Sequence, residues 1–373
     1  MNQIIIDKVT ELRHLLHQYP ELSCQERETK CRLMTFLKDN TSLKLVDQGS
    51  WFYAVKEYVS GNGDSNKAPI AFRADYDALP IEEHLGLPYD SKNPGVSHKC
   101  GHDGHASTLC GVAMAVDQMS FDRTIYLVFQ PAEEIGLGGE ACAKFLEKER
   151  VGEVYAFHNR SGYPEGTVVV RDGLTQCASV GLTVTFTGKT CHASEPEHGI
   201  SPALSMAKLV AYASTLDKSC LQDMVLITVV DISLGNMDFG VSPGQGSVSF
   251  TLRANEEEDL KAVKAMILAD ARDLARTYGL ETNQEEHDYF PETRNVTSAV
   301  EKVRAAARSN GYPCLEMKEP WRASEDFGYY TKHIKGAMFY MGNGEDYPPL
   351  HTAGFDYNDK IIDRTIQMFL SLI

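Results

Sequence analysis

Ala68-Pro69-Ile70-Ala71-Phe72-Arg73-Ala74-Asp75-Tyr76-Asp77 sets a short apolar run directly against two carboxylates. A run this short, bounded by a turn former and an acid, reads as a strand buried on both faces, since a core helix is usually longer. The same layout returns in Thr124-Ile125-Tyr126-Leu127-Val128-Phe129, which leads into Gln130-Pro131-Ala132-Glu133-Glu134. Two such strands put Asp75, Asp77, Glu133 and Glu134 at strand carboxyl ends, where open α/β sheets gather their ligands. Strand-like and helix-like runs alternate here, which predicts an α/β fold with a mixed, largely parallel sheet.

From about residue 178 the pattern changes. Strands at 180–187, 225–232, 247–253 and 281–290 and helices at 201–216 and 256–278 follow in the order β-α-β-β-α-β, that of a ferredoxin-like domain. A helix at 297–310 and a strand at 337–341 then resume the first pattern. The expected organisation is a catalytic domain in two parts, 1–177 and 292–373, interrupted by an inserted domain at 178–291.

With 373 residues and 43% hydrophobic content the chain can bury a large core in two domains. Its 36 basic and 52 acidic residues give a net charge of −16, a field that repels polyanions, so nucleic acid is not an expected partner. No stretch approaches the roughly 18 apolar residues of a spanning helix. Met1-Asn2-Gln3-Ile4-Ile5-Ile6-Asp7-Lys8 lacks the basic-then-apolar layout of a signal peptide, and a cytoplasmic location is expected. The nine cysteines are scattered and odd in number, which argues for a reducing compartment rather than a disulfide framework.

His98-Lys99-Cys100-Gly101-His102-Asp103-Gly104-His105 packs one thiol, three imidazoles and a carboxylate into eight residues, a density that points to metal. A closed structural zinc site would need a second ligand pair of the Cys-x-x-Cys kind, which the chain does not contain. A second reading makes Cys100 a thiol nucleophile activated by a nearby histidine. Glu133 and Glu134, if extended, point in opposite directions, so one can ligate a metal while the other moves a proton. Asp77 suits the role of orienting a ligand, while His158 and His351 can each be a ligand or a core histidine. Gly240-Val241-Ser242-Pro243-Gly244 matches Gly-x-Ser-x-Gly, but a strand rather than a helix follows it, so it is not a nucleophile elbow.

Arg13-His14-Leu15-Leu16-His17-Gln18-Tyr19-Pro20-Glu21-Leu22-Ser23, Arg73 to Ile81, Cys100 to His105, Gln130 to Glu134 and Ser324-Glu325-Asp326-Phe327 occur in the order seen in a known family. The chain resembles the amidohydrolase branch of the metallo-aminoacylase and carboxypeptidase family, which includes hippurate hydrolase, auxin–amino acid conjugate hydrolases and N-acetyldiaminopimelate deacetylase. The resemblance implies a zinc-peptidase-like catalytic domain with an inserted lid or dimerisation domain. It further implies a dinuclear site ligated by Cys100, His102, Glu134, His158 and His351, with Glu133 as general base and acid and Asp77 as orienting carboxylate. Likewise, His192 would reach the active site of a dimer partner to polarise the scissile carbonyl, and Arg253 would hold a substrate carboxylate. One departure stands out: Gly240 occupies the place of an asparagine that relatives commonly carry in Asn-Val-Ile-Pro.

The expected function is metal-dependent hydrolysis of the amide bond of an N-acyl amino acid or small dipeptide-like substrate, by a metal-activated water with Glu133 relaying the proton. Two divalent ions are expected, from zinc, manganese, cobalt and nickel. The alternatives are a Cys100-nucleophile amidase and a catalytically silent metal-binding scaffold of the same fold.

Overall fold

A computed structural model describes residues 2–58 and 67–373. The chain divides into two compact units, one comprising Met1–Thr175, Thr293–Pro320 and Asp326–Ile373, the other Gln176–Glu292 and Trp321–Glu325.

The larger unit is built on an eight-stranded mixed sheet. Its spatial order is Lys44–Asp47, Phe52–Lys56, Ile125–Gln130, Ile70–Asp75, Glu153–Ser161, Lys335–Gly344, Val168–Val170, Cys314–Glu316. The four central strands, Ile125–Gln130 through Lys335–Gly344, pair in parallel, while both flanks include antiparallel pairs. Ile70–Asp75 is buried at all six positions, as expected of a parallel strand covered on both faces. Phe72, Phe157 and Phe339, from three neighbouring strands, converge on Phe369 of the helix Ile362–Leu372 with ring centroids 4.9, 5.7 and 5.6 Å away. Each such ring contributes about 1.5–3 kcal/mol by leaving water.

The helix His102–Asp117 packs against this sheet, the helix Gln3–Gln18 and the helix Ile362–Leu372. Every residue from His102 to Val116 is buried. Small residues make that possible: a Cβ on Gly104 would lie 2.3 Å from the ring of Tyr357.

The smaller unit is an antiparallel sheet of order Val225–Leu234, Gln245–Ala254, Ala178–Thr187, Glu281–Phe290, with helices Ala203–Thr215 and Glu257–Tyr278 packed on it. Ala178–Thr187 and Gln245–Ala254 alternate buried with less buried residues, so Val180, Leu182, Val184, Val248, Phe250 and Leu252 join Leu209, Val263 and Ile267 in one core. The stretch Trp321–Glu325 belongs to this unit rather than to the chain segment around it, because Arg253 Nη1 donates to the Arg322 carbonyl at 3.1 Å and to Ser324 Oγ at 2.9 Å. Among the described residues no helix is long and apolar enough to cross a membrane.

Candidate active site

Strand ends and one helix start bring the larger unit's candidate residues together. Asp77 follows the strand Ile70–Asp75, and His158 lies inside the strand Glu153–Ser161. Cys100 and Gly101 lead into the helix that begins at His102, and His351 sits in the loop after Lys335–Gly344. Gly101 turns the chain with φ of +96°, and any Cβ there would stand 2.4 Å from Asn159 Oδ1, so both the backbone and the space require glycine. Glu133 and Glu134 differ from the extended pair expected of them. The strand ends at Gln130, and Glu133 opens a turn in which its carbonyl accepts the Gly136 N–H at 2.9 Å. Ala132, just before, has a left-handed φ of 52°. The two carboxylates therefore point the same way: Glu133 Oε2 is 3.8 Å and Glu134 Oε1 3.7 Å from His102 Nε2.

Around them, Cys100 Sγ is 3.4 Å from His158 Nε2 and 3.3 Å from His351 Nε2, and His351 Nε2 is 3.7 Å from Glu134 Oε2. Behind these donors stands a supporting layer. Asp77 Oδ1 meets His102 Nδ1 at 3.0 Å, and its Oδ2 accepts from Ser23 Oγ at 2.7 Å and from the Glu134 N–H at 2.9 Å. His158 Nδ1 donates to the Asn159 carbonyl at 2.7 Å, which turns its Nε2 toward Cys100. His105 lies between Asp75 Oδ1 and Asn159 Oδ1, at 2.6 and 2.7 Å, and so serves as a buttress.

The donor set fits a divalent cation. Ligand atoms bonded at about 2.0–2.3 Å in a tetrahedron stand roughly 3.3–3.8 Å apart, which is the spacing here. His102 Nε2 and Glu134 Oε1 are buried, 3.7 Å apart, and have no hydrogen-bond partner among the described residues. Two groups of potential ligands, Cys100–His102–His158 and Cys100–Glu134–His351, share the thiol. Charge tells the same story. Burial and the nearby Glu134, Glu133 and Asp75 carboxylates push the Cys100 thiol well up. Burial also lifts Glu134 to about 7. Burial alone would lower His102, yet Asp75, Asp77 and Glu134 outweigh it and raise it to about 10. The cluster thus holds protons where a metal's charge would release them, and a thiol so placed is a poor free nucleophile.

A model of peptidase family M20/M25/M40 matches residues 71–373. The chain belongs to this family. An N-acetyl-L-cysteine deacetylase of Bacillus subtilis is 33% identical over 347 residues, covering 92% of this chain and 82% of the relative. An N-acetyldiaminopimelate deacetylase of Lactobacillus helveticus is 27% identical, covering 96% of this chain and 95% of that one. The solved structure of a dinuclear metal binding peptidase of the M20 family from Bacillus subtilis superposes with a TM-score of 0.80 at 26% identity, over 100% of this chain and 98% of that one. The present family member is a metal-dependent amidohydrolase, and the resemblance read from its sequence is borne out.

Two expected site residues of this M20 chain lie on its smaller unit. His192 is exposed in the short strand Cys191–His192, opposite Val241, with Nδ1 2.7 Å from Ser194 Oγ. Arg253 lies in the strand Gln245–Ala254. Gly240 is next to Val241, its carbonyl accepting the Ala193 N–H at 2.9 Å. A Cβ on Gly240 would meet Asp238 Oδ1 at 3.3 Å and nothing else within 4 Å.

An ion network beside the candidate ligand segment of this amidohydrolase has no local signal in the sequence. His17 Nδ1 meets Asp103 Oδ2 at 2.7 Å and its Nε2 meets Glu83 Oε1 at 2.9 Å; Glu83 also pairs with Lys99. All four are buried. Burial pushes His17 down, but Asp103 and Glu83 outweigh it and bring the pKa to about 9. Burial pushes Glu83 up, but His17 and Lys99 hold it at about 2. An unfolded histidine titrates near 6.5, so the stabilisation from His17 is complete below pH 6.5 and is lost as pH rises through about 9, on the order of 3 kcal/mol in all. Glu83 acts at the other end, its contribution present above its unfolded value and lost as pH falls toward about 2. Urea midpoints of the metal-free protein are expected to fall more steeply between pH 6.5 and 9 in the wild type than in His17→Gln, where His102, also raised, still contributes a slope over that window. Parallel curves for the two proteins would show that His17 does not carry this proton.

Proposed function

We propose that this amidohydrolase removes the acyl group of an N-acyl amino acid, or cleaves a small dipeptide-like amide. The convergence of Cys100, His102, Glu133, Glu134, His158 and His351 at ligand spacing carries the reading, supported by the deacetylase names of its relatives. Cys100, His102, Glu134, His158 and His351 would hold two divalent ions. A set mixing thiolate, imidazole and carboxylate suits zinc, manganese, cobalt or nickel, with availability deciding among them. Ions bound there supply Lewis acidity toward the scissile carbonyl and lower the pKa of water toward neutrality.

The chain's own residues do the rest. Glu133 takes the proton from the nucleophile and returns it to the leaving amine. Asp77 fixes His102 as the tautomer protonated on Nδ1, leaving Nε2 to face the metal. The smaller unit acts as an inserted ferredoxin-like lid and dimerisation domain at about 178–291. In support, its edge strand Val225–Leu234 exposes Val230, Ile232 and Leu234, and the loop beyond it exposes Met237 at 90% and Phe239 at 95%. An apolar edge of this kind is a template for pairing with a second copy. His192 would complete the site of that second copy, and Arg253 would hold the substrate carboxylate by a bidentate contact. The nine free thiols suit a reducing cytoplasm.

Metal removal tests the reading. Protein purified without chelator and reconstituted is expected to carry about two ions per chain by elemental analysis and to hydrolyse N-acetyl amino acids. Chelation should abolish that activity and added metal restore it, and Cys100→Ala should bind less metal. Activity that survives complete chelation would instead favour a Cys100-nucleophile amidase, and a fully loaded but inert protein a silent scaffold.

A further inference from the structure

Glu26 is a buried carboxylate outside the chemistry proposed above. It stands at the N-cap of the helix Arg27–Asn40, yet its side chain does not cap that helix. Its Oε1 instead accepts the backbone N–H of Ala132 at 2.8 Å, 106 residues away in sequence. Ala132 directly precedes Glu133 and has φ of +52°, a conformation that a non-glycine residue keeps only where its surroundings impose it. The Ala132 carbonyl is held as well, accepting from the Leu137 N–H at 3.1 Å and the Gly138 N–H at 3.3 Å. The turn that carries Glu133 and Glu134 is therefore clamped through both polar groups of this one residue.

The carbonyl clamp is internal to the loop, so it shapes the turn without anchoring it. Glu26 supplies an external anchor, from the start of a 14-residue helix whose Lys30 N–H donates to the Glu26 carbonyl at 3.1 Å. Beside the loop lies a cleft of about 510 Å³ lined in part by Cys24, Glu26, Trp51, Ala132 and Gly138. Ala132 lines this cleft, and the bond from Glu26 reaches its N–H from outside the loop. From Asp77 the Glu134 N–H is held independently at 2.9 Å. The candidate ligand thus has its own tether, while the residue before the candidate base depends on Glu26.

We infer that Glu26 is a positioning residue: by accepting the Ala132 N–H it holds the left-handed turn that aims the Glu133 carboxylate at its proton. This rests on Glu133 being the general base. Misplacing a reacting group by about 1 Å can cost up to roughly 100-fold in rate, so the effect belongs in kcat.

Two substitutions separate the hydrogen bond from the charge. Glu26→Gln keeps an oxygen in place without the charge; Glu26→Asp keeps the charge but withdraws it by one methylene. Glu26→Gln is expected to retain kcat within about threefold, whereas Glu26→Asp and Glu26→Ala should lose about 10- to 100-fold in kcat, with KM and metal content by elemental analysis unchanged. Adding Glu26→Asp to Glu133→Gln should cost nothing further, because no base remains to be aimed. A loss that repeats in the Glu133→Gln background, metal loss in Glu26→Asp, or a Glu26→Gln enzyme as slow as Glu26→Asp each overturns the inference. Should the shortened side chain impair folding, Glu26→Gln decides alone: slow means wrong. Failure of the base assignment is distinguishable, since Glu133→Gln by itself would then keep the wild-type kcat.

Discussion

Glu133→Gln is expected to keep its full complement of metal and to lose about 10²–10⁴-fold in kcat, the usual worth of a positioned general base and acid. Glu134→Gln is expected to lose metal. The comparison is demanding because the two carboxylates stand almost equally far from His102 Nε2, at 3.8 and 3.7 Å. The assignment rests on the surroundings of Glu134. Glu134 also faces His351 at 3.7 Å, shares a ligand group with Cys100 and leaves a buried oxygen without a hydrogen-bond partner among the described residues. Removing a ligand should empty the site, whereas removing a proton carrier should leave it loaded and idle. Elemental analysis beside kcat measured under saturating substrate decides it, and equal metal loss in both variants would contradict the assignment.

Inactive Glu133→Gln and His192→Ala chains, unfolded and reassembled together in equal amounts, are expected to recover about a quarter of wild-type activity. Random two-fold pairing makes half of the dimers mixed, and each mixed dimer has one site with both residues intact. The starting variants should each be slower by orders of magnitude, so the gain is large against its background. Differently tagged chains report whether mixed dimers form. If they form and activity stays at the level of the single variants, His192 does not work across the dimer.

Strands such as Ile70–Asp75 and Ile125–Gln130 were legible because burial on both faces leaves an unbroken apolar run, and polar residues mark where it stops. The alternating strands of the smaller unit were legible for the opposite reason, one face being wetter than the other. The turn at Glu133 was not. Its Ala132 N–H is held by Glu26 from 106 residues away, and nothing local in Pro131-Ala132-Glu133 encodes a left-handed alanine. The helix His102–Asp117 escaped notice as well, since burial on every side erases the 3.6-residue periodicity that marks a helix with one wet face. Ligand candidates could be picked out by residue type, whereas His17, Glu83 and Asp103 bond across 66 and 86 residues and show themselves only once the chain is folded.

That fully enclosed helix also determines where this enzyme has room to change. At Gly104 even a methyl group would strike the Tyr357 ring, and at Gly111 one would stand 2.5 Å from Ile366, so at these two positions the element carrying His102 takes a side chain only if its neighbours shift. At Gly240 a methyl group would meet a single carboxylate oxygen, that of Asp238 at 3.3 Å, which needs to give by only a few tenths of an ångström. Mutational exploration, natural or in the laboratory, is thus steered away from Gly104 on the helix that carries the candidate ligand His102 and toward the loop at Gly240. Libraries aimed at new substrates should be concentrated there, leaving the helix as it is.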